Sequence, residues 1–344
     1  MDMMTTLMTC KEGWEKIMAG EAALYGGTLR SKGRGWALVE WRETTFEKSF
    51  NAHNGFCFAH YIMEGPQKIS AASVNSLTAR CVDLFLAYIA GKRIDKPWPY
   101  HFSASGDEQL AGRAQNVEAD WRKGLAAKVA RVAKLAVKDV PYQPQFTDGF
   151  FVHFTDYGEA FVSFGALSAG QQRMRMDPLA PSRSYLKMEE AFCILGCEPR
   201  GDDSVVDLGA APGGWSYSAL KRGAYVMAVD NGPLKGEVAI HPQLTHLRAD
   251  ALTYKRMKSE PADWLFCDIL APADTILSLL DHWLAKRWCR RFVVNLKLGR
   301  ADPLRLLNEI RDSREGLASR CKRLYVRQLY HDREEITLMG EANV

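Results

Sequence analysis

A small α+β region followed by a doubly wound, mostly parallel α/β sheet is the fold class that the sequence predicts, and three observations predict it. The second half alternates short apolar runs with helical stretches, as in "SVVDLG", "GGWSYSALKRG", "AYVMAVD", "DWLFCDI" and "RRFVVNLKL". Such alternation marks parallel strands joined by crossover helices. The first half lacks it and mixes strand and helix patterns. At 344 residues the chain has the length of two ordinary domains, and 47% hydrophobic with 25% charged residues suits a globular chain with true cores.

The opening "TTLMT" reads as a strand. "KEGWEKIMAGEAALYGG" has helical periodicity and ends in two glycines, and "GWALVEW" alternates as a strand does. The stretch "WRKGLAAKVARVAKLAVKDVP" (121–141) is predicted to be one regular helix that stops at Pro141. Lys128, Arg131, Lys134 and Lys138 recur on one of its faces, and Leu125, Val129, Val132 and Leu135 on another. A basic face of this kind suits solvent or a phosphate backbone. "GFFVHFTDYGEAFVSFG" reads as two strands around a turn at Asp156 to Gly158. The polar "ALSAGQQRMRMDPLAPSRS" follows, carrying Arg173 and Arg175 as further candidate RNA contacts. The expected division is therefore 1–170 and 171–344.

A net charge of +4 neither demands nor excludes a nucleic-acid partner. The eight cysteines are scattered, and the one close pair, Cys193 and Cys197, has helical rather than CxxC spacing. They read as reduced thiols of a cytoplasmic protein. No window approaches the roughly 20 apolar residues of a membrane span, and no export leader is evident. No His/Cys/Asp cluster has metal-ligand spacing, so no metal is expected.

"VVDLGAAPGGWSYSAL" places a glycine turn between the first strand and helix of the parallel sheet, where ligands bind in such folds. The glycines fall at 209, 213 and 214, not as GxGxxG, and Pro212 removes an amide donor that a phosphate would want. The spacing also fits GxxxxGK[ST] except that Trp215 stands in the lysine position, which disfavours a triphosphate. A nucleoside without a polyphosphate remains, and S-adenosylmethionine fits. Asp230 lies 21 residues after Gly209, the spacing of a ribose-binding carboxylate, although it also suits a turn with Asn231 and Gly232. Asp250, ending "LRAD", is placed to reach the adenine.

The stretches "APSRSYLKMEEAF", "VVDLGAAPGGWSY", "VDNGP", "CDI", "NLKL" and "RQLYHDREEITL" resemble, in order, the FtsJ-type ribose 2′-O-methyltransferases. Within that family they are similar to the RlmM-type branch, which methylates a cytidine ribose of 23S rRNA. The resemblance covers most of 177–344. It implies a Rossmann-like methyltransferase domain, S-adenosylmethionine as cofactor, and a catalytic Lys-Asp-Lys-Glu set at Lys187, Asp268, Lys297 and Glu334. Glu335 is adjacent; strand alternation admits only one of the two glutamates, and the Arg-Glu pair of the family motif selects Glu334. The candidate cofactor residues are Ser184, Asp207, Gly209, Ala211, Pro212, Gly213, Gly214, Trp215, Asp230, Asp250 and Asp268. The resemblance also implies a ferredoxin-like segment and a THUMP RNA-binding module in the N-terminal half, with 23S rRNA met before ribosome assembly as substrate.

The chemistry accounts for these residue types. A ribose 2′-hydroxyl is a poor nucleophile, so it needs a base, or a cation beside the oxygen as charge develops. Lys297 is assigned as base, with Lys187 and the two acids tuning it; a lysine serves as base only when neutral. Simpler readings stand beside these: Lys187 on a solvated face with Glu190, and Asp268 as a helix cap. Lys297 is harder to explain that way, because a buried parallel strand does not favour a charge. The motifs Asn-Pro-Pro-Tyr and Pro-Cys, expected of amino-group and cytosine-C5 methylation, are absent. A non-catalytic RNA-binding or assembly factor on the same fold, and a 2′-O-methyltransferase for another RNA, are the alternatives.

Overall fold

The computed structural model describes residues 3–52, 55–138, 145–257, 259–312 and 314–343. The chain divides into two compact units, Met1–Ala52 with Phe58–Ala169, and His53–Cys57 with Gly170–Val344.

The first unit runs β1 (Met3–Thr9), α1 (Glu15–Leu24), β2 (Thr28–Gly33), β3 (Trp36–Arg42), α2 (Glu43–Ala52), β4 (Tyr61–Glu64), β5 (Gln67–Ser70), α3 (Val74–Ile89), β6 (Trp98–Ala104), α4 (Glu108–Lys128), α5 (Ala130–Lys134), β7 (Ala136–Lys138), β8 (Gln145–Asp156) and β9 (Glu159–Ser168). Its sheet has the order β2-β3-β1-β4-β9-β8-β6-β7, with β5 on β9. Trp121, Tyr100, Phe102, Phe150 and Phe85 form an aromatic core under α3 and α4.

The predicted single helix over 121–141 is not what forms. α4 ends at Lys128, Val129 leaves helical geometry at φ −142°, α5 is five residues long, and 136–138 joins the sheet as β7. Pairing of β7 with β6, and the Trp98 indole N–H donated to the Val132 carbonyl at 3.0 Å, override the local helical pattern. The basic face is thereby dispersed: Lys138 pairs with Glu118 at 2.6 Å and Lys128 with Asp83 at 3.4 Å, while Arg131 and Lys134 stay exposed on α5. Pro141 lies outside the described residues.

The second unit runs α6 (Tyr185–Leu195), β10 (Ser204–Leu208), α7 (Gly214–Leu220), β11 (Tyr225–Val229), β12 (Leu244–Leu247), β13 (Ala262–Cys267), α8 (Ala273–Ala285), β14 (Cys289–Lys297), α9 (Pro303–Arg311), β15 (Cys321–Arg327) and β16 (Glu335–Ala342), with short 3-10 turns at Gly236–Ile240 and Leu317–Arg320. The sheet order is β12-β11-β10-β13-β14-β16-β15. β10 to β14 are parallel and β16 is antiparallel to both β14 and β15. This is the Rossmann-like, doubly wound sheet of the methyltransferase fold. From β10 the chain winds first towards β12 and then, from β13, the other way, so the strand-end crevice opens beside β10 and β13. Met188, Phe192, Val205, Trp215, Phe266 and Val293 pack the core of this unit. No helix among the described residues is long and apolar enough to cross a membrane.

Candidate active site

The glycine turn leaves β10 with Asp207 below it. Asp207 is fully buried; its Oδ2 accepts the Ser216 hydroxyl at 2.7 Å, and its Oδ1 has no hydrogen-bond partner among the described residues. Burial pushes this carboxyl up to about 7, the Ser216 hydrogen bond opposing it. Gly209 has φ +78°, and a Cβ there would come 2.7 Å from the Ile269 side chain. At Gly214 a Cβ would collide with the hydroxyls of Ser182 and Ser184. Glycine is therefore demanded by close packing of the turn against Ile269, Ser182 and Ser184, and Gly213 and Gly214 are buried while Gly209 is half-buried.

Asp230, just past β11, holds two backbone amides, Ala211 N–H on Oδ2 at 2.9 Å and Gly232 N–H on Oδ1 at 2.7 Å. Asp230 thus forms its own turn and braces the glycine turn, and each oxygen keeps a lone pair free of these two bonds. Asp250 is exposed and lies beyond β12, which ends at Leu247; its Oδ1 accepts Leu252 N–H in a local turn. Trp215 is 2% exposed, so its side chain is core and does not face the ligand. Its indole N–H is donated to the Ser184 carbonyl at 3.1 Å, which fixes the start of α6 against the turn. These features fit S-adenosylmethionine: carboxylate acceptors for hydroxyls, a tight glycine turn at the strand end, and an unpaired buried acceptor suited to an N–H donor. The site would be held by Asp207, Asp230 and the 209–214 backbone.

Beside the turn the two lysines converge. Lys187, 7% exposed on α6, pairs with Glu335 Oε1 and stands 3.6 Å from Asp332. Lys297, at the carboxyl end of β14, donates to Asp268 at 2.5 Å, to Asn295 Oδ1 at 2.6 Å and to Glu335 Oε2. Glu335, not Glu334, is therefore the glutamate at the lysines. The strand register supplies the reason: Lys297 and Glu335 are direct cross-strand partners on β14 and β16, so their side chains rise from the same face. Glu334 is exposed, and its carbonyl accepts Leu298 N–H. Asp268 does not cap α8, whose N-cap position is Pro272. Glu190 does not partner Lys187; it is fully buried and accepts backbone N–H groups of Gln172, Tyr330 and His331.

Electrostatics at the cluster follow from this geometry. Burial works against the charge on Lys297, but Asp268 and Glu335 outweigh it and hold the lysine above its ordinary value. Burial also opposes the charge of Glu335, and the two lysines outweigh it and hold the carboxyl low. The neutral lysine expected of a resting base is thus not favoured here; the carboxylates dominate the second ammonium. Asp332 is pushed up to about 7, first by burial. A cavity of about 440 Å³, lined by Arg183, Lys187, Lys297, His331, Arg333 and Glu335 among others, gives access to the cluster. A second, of about 730 Å³, reaches Lys297 from the side of Leu270, Leu298 and Arg300.

Three residues of the cluster were not expected from the sequence: Asn295, Asp332 and Thr337. Asn295 lies two positions before Lys297 and so shares its face, a signal present in "NLKL". Asp332 sits in the loop before β16 and had no periodicity to reveal it. Among the described residues no group of three or more His, Cys, Asp or Glu is placed to hold a metal ion.

Residues 180–300 match the family of FtsJ-like methyltransferases. The "Ribosomal RNA large subunit methyltransferase M" of Laribacter hongkongensis is 43% identical over 178 residues, so the chain spans about half that relative's length (50%) and the match takes 49% of this chain. The protein of the same name from Xanthomonas axonopodis pv. citri is 33% identical over 76% of each chain. That from Pseudomonas syringae pv. syringae is 32% identical over 97% of this chain and 96% of its own. The near-complete alignment, joined to the fold and the fit of the glycine turn, establishes that the chain belongs to the ribosomal RNA large subunit methyltransferase M family, with S-adenosylmethionine as its cofactor.

Proposed function

We propose that the chain transfers a methyl group from S-adenosylmethionine to the 2′-hydroxyl of a cytidine ribose in 23S rRNA, in the cytoplasm and before the particle assembles. The observation that carries this reading is the pair of lysines on one buried carboxylate, Glu335, beside the glycine turn.

Lys297 is the residue for the acceptor oxygen. As base it takes the hydroxyl proton while the oxygen bonds to the methyl carbon, and the electron pair of the broken bond stays on sulfur. Its three acceptors keep it charged at rest, so it must shed a proton first. The cofactor supplies the methyl group and a positive charge nearby, which favours that loss. Lys187 and Asp268 fix the Glu335 carboxylate and the Lys297 ammonium, so the oxygen meets an oriented partner. The first unit is read as the ferredoxin-like and THUMP region that holds the RNA.

The test is methyl incorporation from labelled S-adenosylmethionine into unmodified 23S rRNA by wild type and Lys297→Ala. One alkali-resistant linkage in wild type, absent with the variant, is expected. Cofactor binding without incorporation into any site would overturn the reading.

A further inference from the structure

Behind the lysines lies a buried polar block. Asn295 and Lys297 are two apart on β14, Thr337 and Glu335 two apart on β16, and the register opposes Asn295 to Thr337 and Lys297 to Glu335. All four side chains therefore rise from one face. Asn295 and Thr337 are fully buried and Asp332 is 1% exposed.

The Asn295 amide has one orientation available. Its Nδ2 donates to Asp332 Oδ1 at 3.1 Å and to Thr337 Oγ1 at 3.0 Å, and the Thr337 hydroxyl donates on to Asp332 at 3.0 Å. The Leu329 N–H fixes Asp332 Oδ2 at 2.9 Å. With both amide hydrogens spent on acceptors, Oδ1 must face Lys297. Asp332 also stands 3.6 Å from Lys187. One buried unit thus touches both lysines from beneath.

We propose that Asn295, clamped by Asp332 and Thr337, is a positioning residue that aims the Lys297 Nζ at the acceptor ribose oxygen. The proposal rests on the reading of Lys297 given above. Lys297 is faced by Asp268 from the loop after β13 and by Glu335 from β16, and across Glu335 by Lys187 from α6, with Asp332 beneath and His331 lining the same cavity. Asn295 is the uncharged acceptor of the three. It fixes a direction without adding the charge that would hold the proton still more tightly, as a third carboxylate would.

The experiment is an NMR titration of ¹³C-lysine-labelled protein, with kcat and KM for both substrates, for wild type, Asn295→Ala and Thr337→Val. Loss of an acceptor disfavours the charged lysine, so the Lys297 ionisation is expected to move to lower pH in Asn295→Ala. In the same variant kcat falls about tenfold with both KM values unchanged, because the lost aim outweighs the gain in neutral lysine. Thr337→Val removes one anchor of the amide and moves both readouts in the same direction by less. Should Asn295→Ala fail to fold, Thr337→Val decides. A Lys297 ionisation and kcat equal to wild type, with only melting temperature lowered, would overturn the proposal. Wild type without methyl transfer would sink the functional reading instead, and the titration would still report on Asn295.

Discussion

Lys187 and Lys297 hold opposite oxygens of a single carboxylate, that of Glu335, from a helix and a strand far apart in sequence. Replacing that carboxylate by an amide leaves two ammonium groups facing one neutral acceptor and frees both from their common anchor. Glu335→Gln is expected to lower kcat by about 100-fold, within the range of an electrostatic site residue, with cofactor affinity unchanged. Glu334→Gln is expected to match wild type, since Glu334 is exposed and outside the ion pairs. Label incorporation by the two variants checks the assignment, and equal losses would refute it.

The same carboxylates predict a pH dependence. Asp268 and Glu335 hold Lys297 above its ordinary value, so at neutral pH the base form is scarce and grows as protons are removed. The rate of methyl transfer under saturating substrates should therefore climb by up to about tenfold per pH unit between pH 6 and 8. A flat profile over that window would mean that Lys297 acts as a cation and not as a base.

Much of the second unit was legible because its signals are local. The apolar runs of a parallel sheet, the glycine turn and the lysine at a strand end each declare themselves within ten residues. What the sequence left open was register. Strand alternation states that Glu334 and Glu335 diverge, but only the pairing of Lys297 with Glu335 says which one turns inward. The same limit hid Asp332, whose partners come from β14 and α6. In the first unit a strong helical period over 121–138 lost to strand pairing at 136–138 and to the Trp98 hydrogen bond, both contributed by residues distant in the chain.

Asp230 braces two turns with one carboxylate. In Asp230→Asn only one side-chain oxygen remains, so either Ala211 N–H or Gly232 N–H loses its acceptor, at a cost of about 1–3 kcal/mol. Calorimetric titration with S-adenosylmethionine should show affinity lower by about tenfold or more, together with a lowered melting temperature. Unaltered affinity would confine Asp230 to a local turn.

Three buried carboxyls and two histidines set the response of stability to pH. Burial raises Asp207 and Asp332 to about 7 and Glu190 to about 8, whereas in the unfolded chain they titrate near 4. Between those values these carboxyls bind more protons in the folded state than in the unfolded one, so their contribution to stability falls as pH rises from about 4 to about 8. Glu335 and Glu189 are held low and act on the acid side, below the unfolded value. Burial lowers His101 to about 4 and His153 to about 3, so below about 6.5, where unfolded imidazoles are protonated, the histidines oppose the carboxyls. Melting temperature should therefore decline from about pH 6.5 to about pH 8, and Asp332→Asn should flatten that decline. A rise over the same interval would contradict the burial of these groups.

The cavity over the lysines has a basic rim. Arg183 and Arg333 line it, and the charges of Arg183 and Arg173, after burial itself, hold His331 neutral. Neutral His331 accepts the Met174 N–H through Nε2 at 2.9 Å, which fastens the 171–176 segment, with its exposed Arg173 and Arg175, beside the cavity. An RNA strand offering its ribose to Lys297 would lay its flanking phosphates on these arginines, and each phosphate so neutralised releases counterions. The double variant Arg173→Glu, Arg183→Glu should bind 23S rRNA fragments more weakly and reduce the slope of log K against log salt by about 1 for each phosphate no longer neutralised, with S-adenosylmethionine affinity intact. Because the basic face of 121–138 is dispersed, Arg131→Glu with Lys134→Glu should weaken binding less than the rim variant does. The reverse order would move the main phosphate grip to the first unit.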